Sequence, residues 1–241
     1  GSKQMTRRDS MDYGVVVQSY WDAPTAGLTA NYQVVAGDQI LVKMAISYTS
    51  IENAWENLNT ELDHWDFDLV QKNAEHEWNQ ILQRIEVKGG SDQQQIKFYM
   101  DLWHVLLGRK IINDVKGTYP DYTQGEKDWK FTKADLKIKT LPMNKSGKSL
   151  FNMYNSDALW LTHWNLNILW GLAWPEILDD FSASIVQYAK NGGLLPRGPN
   201  AGGYSYIMTG NPATSLLVST YQKGLMTKTS PKDAFDIMNK N

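Results

Sequence analysis

At 241 residues the chain is long enough for one large domain or two. Its 42% hydrophobic and 21% charged residues are ordinary for a globular protein, and a net charge of −2 gives no electrostatic reason to bind nucleic acid or an anionic membrane. With no cysteine, disulfide and thiolate chemistry are excluded, and any zinc would rest on His and carboxylates alone.

No apolar run approaches the roughly 20 residues that span a bilayer. Lys3, Arg7 and Arg8 are followed by no apolar stretch, so no signal peptide is read at the start. Gly1-Ser2 has the form of a cloning remnant, which leaves a natural leader open. The unusual feature of composition is ten Trp and twelve Tyr. From composition alone these rings read first as filling for a large core, and second as platforms that stack on sugar faces while their polar tips hydrogen-bond.

The first fifty residues read as strands. Residues 14–20 are rich in Val. In 39–48, Ile40, Val42, Met44 and Ile46 share one face at period two, after a turn at Gly37-Asp38 and a short run over 31–35. From residue 50 the period becomes helical. Thr49 and Glu52 have capping-box spacing, and Ile51, Ala54, Trp55, Leu58 and Leu62 mark one stripe. Asp66 caps a second helix with Val70, Ala74, Trp78, Ile81, Leu82 and Ile85 inward. Ser91 and Gln94 form another capping box, opening a helix through Phe98, Leu102, Trp103 and Leu106 towards Gly108.

Residues 114–156 read as a long connection, broken by Gly117, Pro120, Gly125, Pro142 and Gly147. Its Tyr119, Tyr122, Trp129 and Phe131 argue against simple disorder. One helix is expected from Asp157 to about Leu172, and another from Pro175 to Gly192-Gly193. A third opens at Asn211-Pro212 and a last one at Ser230-Pro231. The last meets no stop signal before Asn241, so the architecture is expected to continue.

Most candidate chemistry dissolves on inspection. Asp63, His64, Asp66 and Asp68 lie between two helices, where Asp66 and Asp68 have capping and helix-dipole roles. Glu75-His76-Glu77 lies on a polar helix face, and His104 follows the apolar Trp103 as a structural His would. Nucleophile-elbow and phosphate-loop motifs do not occur. Residues 155–167 are different: on a helix Trp160 and Trp164 lie one turn apart, as do His163 and Asn167. Such interleaved rings and neutral polar groups are costly to bury without partners, which fits either a ligand's hydroxyls or a polar core cluster. Residues 191–204 form a Gly/Pro loop that can approach a ligand closely, with Arg197 and Tyr204 as its obvious functional side chains.

Together these segments resemble glycoside hydrolase family 92, the α-mannosidase-type hydrolases. The resemblance rests on Ile46-Ser47-Tyr48-Thr49-Ser50, Ala54, Asn57-Leu58 and Glu61, then Trp78-Asn79-Gln80-Ile81-Leu82 with Ile85. Phe98-Tyr99, Leu106, Arg109 and Asp114-Val115-Lys116-Gly117-Thr118-Tyr119 continue it. Pro175-Glu176, Gly193-Leu194-Leu195-Pro196-Arg197 and Met208-Thr209-Gly210 follow in the same order. The resemblance implies a mostly α fold with a small β part. Residues 1–50 would be the last strands of a β-sandwich, 51–90 a helical linker, and 91–241 the first half of an (α/α)6 barrel.

It also implies an exo-acting, inverting, calcium-dependent enzyme on mannose-containing glycan, secreted or periplasmic, completed by the remainder of the polypeptide. Inversion needs an acid and a base about 6.5–9.5 Å apart. In the family both carboxylates lie further towards the C-terminus than Asn241, so no catalytic residue is expected in this chain, nor most of the calcium ligands. The family's Trp-Asp-Thr helix, with Arg two residues on, becomes Trp160-Leu161-Thr162-His163-Trp164. Leu161 and Trp164 stand where the sugar-contacting Asp and Arg belong, which makes Asp157, His163 and Asn165 candidates to replace them. The expected cleft is Trp160, His163, Asn165, Arg197, Tyr204 and Asp157. The alternative is a non-catalytic carbohydrate-binding or structural half-barrel.

Overall fold

The computed structural model describes residues 18–20, 23–25, 32–125, 134–155, 157–200, 202–205, 207 and 210–240. The chain divides into two units, Gly1–Met44 and Ala45–Asn241. In the first, β1 (Gln18–Tyr20) pairs antiparallel with β2 (Ala23–Thr25), Gln18 opposite Thr25. The Val-rich residues 14–17 lie outside the described residues. The turn after Val35 is present: the amide of Asp38 donates to the Val35 carbonyl, and the Asp38 carboxylate accepts from the Val35 amide, both at 3.1 Å. The expected strand over 39–48 does not form a ladder, and Val42, Met44 and Ile46 are exposed. A period-two stripe becomes a strand only when a neighbour takes its backbone groups. Among the described residues none pairs with it.

In the second unit α1 (Ile51–Glu61) is capped by Ser50, whose side chain accepts from the Asn53 amide, and not by Thr49 as the spacing suggests. Thr49 is drawn away by a stronger acceptor, the buried carboxylate of Asp114, which also accepts from Asn57 Nδ2 and Thr118 Oγ1, each at 2.8 Å. Asn57 holds the Ile46 carbonyl and the Val115 amide as well, so one knot joins α1 to the turn at 114–118. Asp66 caps α2 (Phe67–Leu82), and the Ser91–Gln94 capping box opens α3 (Asp92–His104). No residue of α2 is fully buried, and α3 buries only Leu102.

After α3 the short β3 (Lys110–Ile111) pairs with β6 (Tyr154–Asn155). Between them, where the sequence reads as irregular, β4 (Thr118–Gly125) and β5 (Ala134–Thr140) form an antiparallel hairpin with Thr118 opposite Thr140. Trp129 and Phe131 lie outside the described residues. The alternation that builds β4 is hidden because two of its inward side chains are polar. Tyr119, Asp121 and Thr123 are all buried, Asp121 accepting from the Thr123 amide and hydroxyl and pairing with Lys139 across the hairpin at 2.8 Å.

The expected helix over 157–172 is two pieces, α4 (Leu159–Thr162) and α5 (Leu166–Ala173). They lead into α6 (Pro175–Gly192), which starts at a first-turn proline and stops at Gly193, φ 89°. A helix that buries side chains all round is a core element. On one side Phe181, Ile185, Val186 and Ala189 meet Leu159, Leu195, α7 (Pro212–Gln222) through Leu216 and Leu217, and α8 (Pro231–Met238) through Ala234. On another, Ala183 and Tyr188 meet Ile112, Tyr119, Leu141, Phe151 and Met153. At its start Leu178 packs with Trp170, Trp174 and Leu102, where α2 and α3 lean on it through Ile81, Leu82 and Phe98. The polar groups it buries are partnered. Asp179 accepts from the Thr227 amide at 3.0 Å, and Asp180 pairs with Lys228 at 2.5 Å and accepts from the Tyr154 hydroxyl at 3.1 Å.

Candidate functional site

The site expected from the sequence falls on the break between α4 and α5 and on the loop after α6. Within the break, side chains compete for helix carbonyls. His163 Nδ1 lies 2.8 Å from the Leu159 carbonyl, and Trp164 Nε1 donates to the Trp160 carbonyl at 3.2 Å. Side chains that take carbonyls four residues back weaken the helical ladder, which accounts for two pieces where periodicity suggests one. A carbonyl partner puts the proton of neutral His163 on Nδ1, leaving Nε2 as an acceptor. Trp164 is 71% exposed, its ring tilted 30° to the His163 ring at 4.8 Å. Trp160 and His163 are half-buried, and Asn165 is the exposed residue before α5.

The Gly/Pro loop contains a tight hairpin in which β7 (Pro199–Asn200) pairs with β8 (Gly203–Tyr204). Its glycines are spent on close approach to protein. A Cβ at Gly198 would lie 2.2 Å from the Asp157 carbonyl and 3.1 Å from the Trp160 ring. At Gly202, φ 81°, a Cβ would lie 2.7 Å from the Pro120 carbonyl. The Asp157 amide donates to the Pro199 carbonyl at 3.3 Å, completing the junction. The structure thus brings Asp157, Trp160 and the 198–204 hairpin together, with Arg197 exposed at its edge.

Two of the expected side chains point elsewhere. Tyr204 is buried, its hydroxyl 2.6 Å from the Leu194 carbonyl and 3.0 Å from that of Tyr188. Asp157 is buried with both oxygens engaged, one by Thr162 Oγ1 at 2.9 Å and the other by Arg109 Nε at 2.5 Å. Arg109 is therefore the cation beside Asp157. Arg109 has a left-handed backbone, φ 56°, and its guanidinium also bonds Asn167 Oδ1 and lies 4.5 Å from the Trp170 ring and 3.9 Å from the Phe181 ring. Burial lowers its pKa, opposed by the Asp157 carboxylate. The Tyr154 phenol is pushed well up by burial and then by the Asp180 carboxylate. Nothing local marks this cluster: its members stand 48 and 58 positions from Arg109, and a left-handed Arg has no signature comparable to glycine.

The other candidates hold structural positions. Asp66 Oδ1 accepts from the Leu69 amide at 2.9 Å, His76 Nε2 lies 2.9 Å from Gln80, and His104 Nδ1 lies 2.7 Å from the Met100 carbonyl. Among the described residues no three His, Asp or Glu side chains gather as a metal site. Among them, too, no helix is long and apolar enough to cross a membrane.

The glycosyl hydrolase family 92 catalytic domain matches residues 53–241. The family GH92 inverting mannosidase of Bacteroides thetaiotaomicron VPI-5482 is 26% identical and superposes with a TM-score of 0.65. That likeness covers 80% of this chain and 24% of the mannosidase. Another family GH92 α-mannosidase of Bacteroides thetaiotaomicron, 21% identical, shares the fold with a TM-score of 0.68 over 80% of this chain and 24% of its own. The chain therefore spans about a quarter of the length of these relatives. No curated protein matches it in sequence. The family match covers most of the chain, and the chain belongs to glycoside hydrolase family 92.

Proposed function

We propose that this chain forms one wall of the glycan cleft in an exo-acting, α-mannosidase-like glycoside hydrolase whose acid and base carboxylates lie elsewhere in the protein. The observation that carries the reading is the junction of Trp160 with the 198–204 hairpin, at the two places where the family resemblance puts the cleft. Trp160 supplies a flat apolar platform, His163 Nε2 an acceptor for a sugar hydroxyl, and Arg197 and Asn165 exposed hydrogen-bonding groups at the rim. Asp157 and Tyr204 act from behind: they hold the platform and the hairpin in place, since their polar atoms are engaged by protein. Inversion follows from the resemblance, with a water admitted between carboxylates set about 6.5–9.5 Å apart. Calcium would be ligated outside the described residues, and secretion or periplasmic export accords with action on polymeric glycan.

A second reading, a binding protein without catalysis, is favoured by one specific observation. Leu161 and Trp164, where the family has its sugar-contacting Asp and Arg, are 64% and 71% exposed, so the surface there is apolar and uncharged. Two measurements separate these readings. The 241-residue chain should bind mannobiose without hydrolysing it or an aryl α-mannoside, and Trp160→Ala should weaken binding about tenfold while the chain stays folded, as expected for loss of a stacking ring. Unchanged binding by Trp160→Ala removes the cleft. Turnover by the chain that disappears with one of its own carboxylates overturns the placement of the catalytic pair. A full-length protein that binds mannobiose yet never turns over supports the second reading.

A further inference from the structure

The β4–β5 hairpin has one edge taken and one open. On the outer side of β4 the Tyr122 amide donates to the Gly202 carbonyl at 3.0 Å. Among the described residues β5 pairs with β4 and with no other strand. The ladder fixes what its free side presents. The Leu141 amide donates to the Gly117 carbonyl at 2.9 Å, so by the alternation of an antiparallel pair Lys139 and Lys137 turn their backbone groups towards β4. Leu136 and Ile138 turn theirs outward. Pro120, with no N–H to give, stands opposite Ile138, where none is called for. The side chains of Leu136 and Ile138, on one face of this edge, are 47% and 53% exposed, and Asp135 and Lys137 are exposed on the other.

An open edge with outward backbone groups is a template for another strand, and its charges restrict which strand fits. β5 runs Asp135-Leu136-Lys137-Ile138-Lys139. Laid antiparallel against a copy of itself with outward groups opposed, most registers bring like charges together: Asp135 opposite Asp135, Lys137 opposite Lys137, or Lys137 opposite Lys139. Such pairs are destabilising. One register escapes this over residues 134–138. It sets Leu136 opposite Leu136, and Asp135 of each copy then lies opposite Lys137 of the other, in the wider-spaced positions where side chains come closest. Lys139, beyond this stretch, already has Asp121 as its counter-ion at 2.8 Å.

We propose that β5 pairs antiparallel with β5 of a second copy of this chain, about a two-fold axis at Leu136, joining the two hairpins into one sheet. None of the residues of the proposed glycan cleft takes part. A contact this short belongs to the small, transient class of interfaces, so the dimer forms at high protein concentration.

The chain has no cysteine, so a single introduced thiol reads the register directly. Opposed residues that exchange hydrogen bonds lie about 5.5 Å apart at Cα, within the span of a disulfide. At roughly 100 µM, a concentration suited to a weak contact, Leu136→Cys oxidised with copper phenanthroline should give a disulfide-linked dimer on a non-reducing gel. In the same register the two copies of position 138 are about 14 Å apart, so Ile138→Cys should cross-link at least about tenfold less. Adding Asp135→Lys to Leu136→Cys should slow cross-linking about tenfold, because both attractive pairs become repulsive. Adding Lys137→Asp as well exchanges the charges, keeps the register and should restore the rate. Both positions are exposed, so these variants keep their fold, which the urea midpoint checks. Equal yields from Leu136→Cys and Ile138→Cys, or a charge-exchanged variant no faster than the one carrying Asp135→Lys alone, would overturn the proposal. A Leu136→Cys chain that stays monomeric would overturn it too, and would leave the edge to a strand other than its own copy.

Discussion

Replacing Asp157 by Asn tests how strongly the buried Arg109–Asp157 pair stabilises the chain. The side chain keeps its shape and loses its charge. Both partners of the Arg109–Asp157 pair have side chains only 1% exposed, so the guanidinium is left in place without its counter-ion. Removing one partner of such a pair costs about 3–5 kcal/mol. The two flanking rings do not replace a carboxylate, since a cation–π contact gives about 2 kcal/mol when desolvated and both contacts are already present. Against a total stability of about 5–15 kcal/mol for a domain, the loss is large. With a urea m-value of about 2–3 kcal/mol/M, the unfolding midpoint should fall by roughly 1–2 M. Tryptophan fluorescence reports it, because Trp170 and Trp174 are sealed in the same cluster. Asp101→Asn is the control. It breaks the Lys97–Asp101 pair, whose side chains are 76% and 64% exposed, and should move the midpoint hardly at all. Arg109→Met combined with Asp157→Leu should recover much of the loss, because no buried charge remains. A midpoint shift for Asp157→Asn no larger than the control's would refute the reasoning.

Acid should unfold the chain through two carboxylates. Burial raises Asp114, but hydrogen bonds from Thr49, Asn57, Ser47 and Thr118 outweigh it, and the net pKa lies below the ordinary value. Burial likewise raises Asp121, outweighed by Lys139 and Thr123, and its net pKa is also lowered. Their contribution is full above the unfolded value of about 4 and is lost as pH falls through the lower folded values. Stability measured by urea at stepped pH should therefore decline below about pH 4, less steeply in Asp114→Asn, and a parallel decline in that variant would contradict the assignment. The 241-residue chain should also self-associate at micromolar concentration, because Leu161, Trp164, Ile168 and Leu172 expose a stripe along α4 and α5. Sedimentation should show Trp164→Ser with Leu172→Ser reducing it, and a strictly monomeric parent would count against the stripe.

Local chemistry was legible in the sequence by itself. Asp66, Ser91, Asn211 and Ser230 cap the helices they precede, and Pro175 and Gly193 bound α6, because a cap or a left-handed stop is decided within a few residues. Family membership was legible for a related reason: it rests on the order of short segments along the chain, and the family match over residues 53–241 agrees. What pairs with what came only from the tertiary structure. The period-two stripe at 40–46 has no ladder, while the β4–β5 hairpin forms with Asp121 and Thr123 turned inward, since pairing depends on a partner strand and not on the pattern of one. Thr49 lost the cap of α1 to Ser50 because the carboxylate of Asp114 lies 65 residues away in sequence and next to it in space. The same holds for the candidate site. Trp160, His163 and the glycine hairpin were visible as residue types, but the partner of Asp157 and the sealing of Tyr204 were not. A buried ion pair is set by which elements α6 gathers around itself, and low-dielectric burial makes that long-range choice decisive.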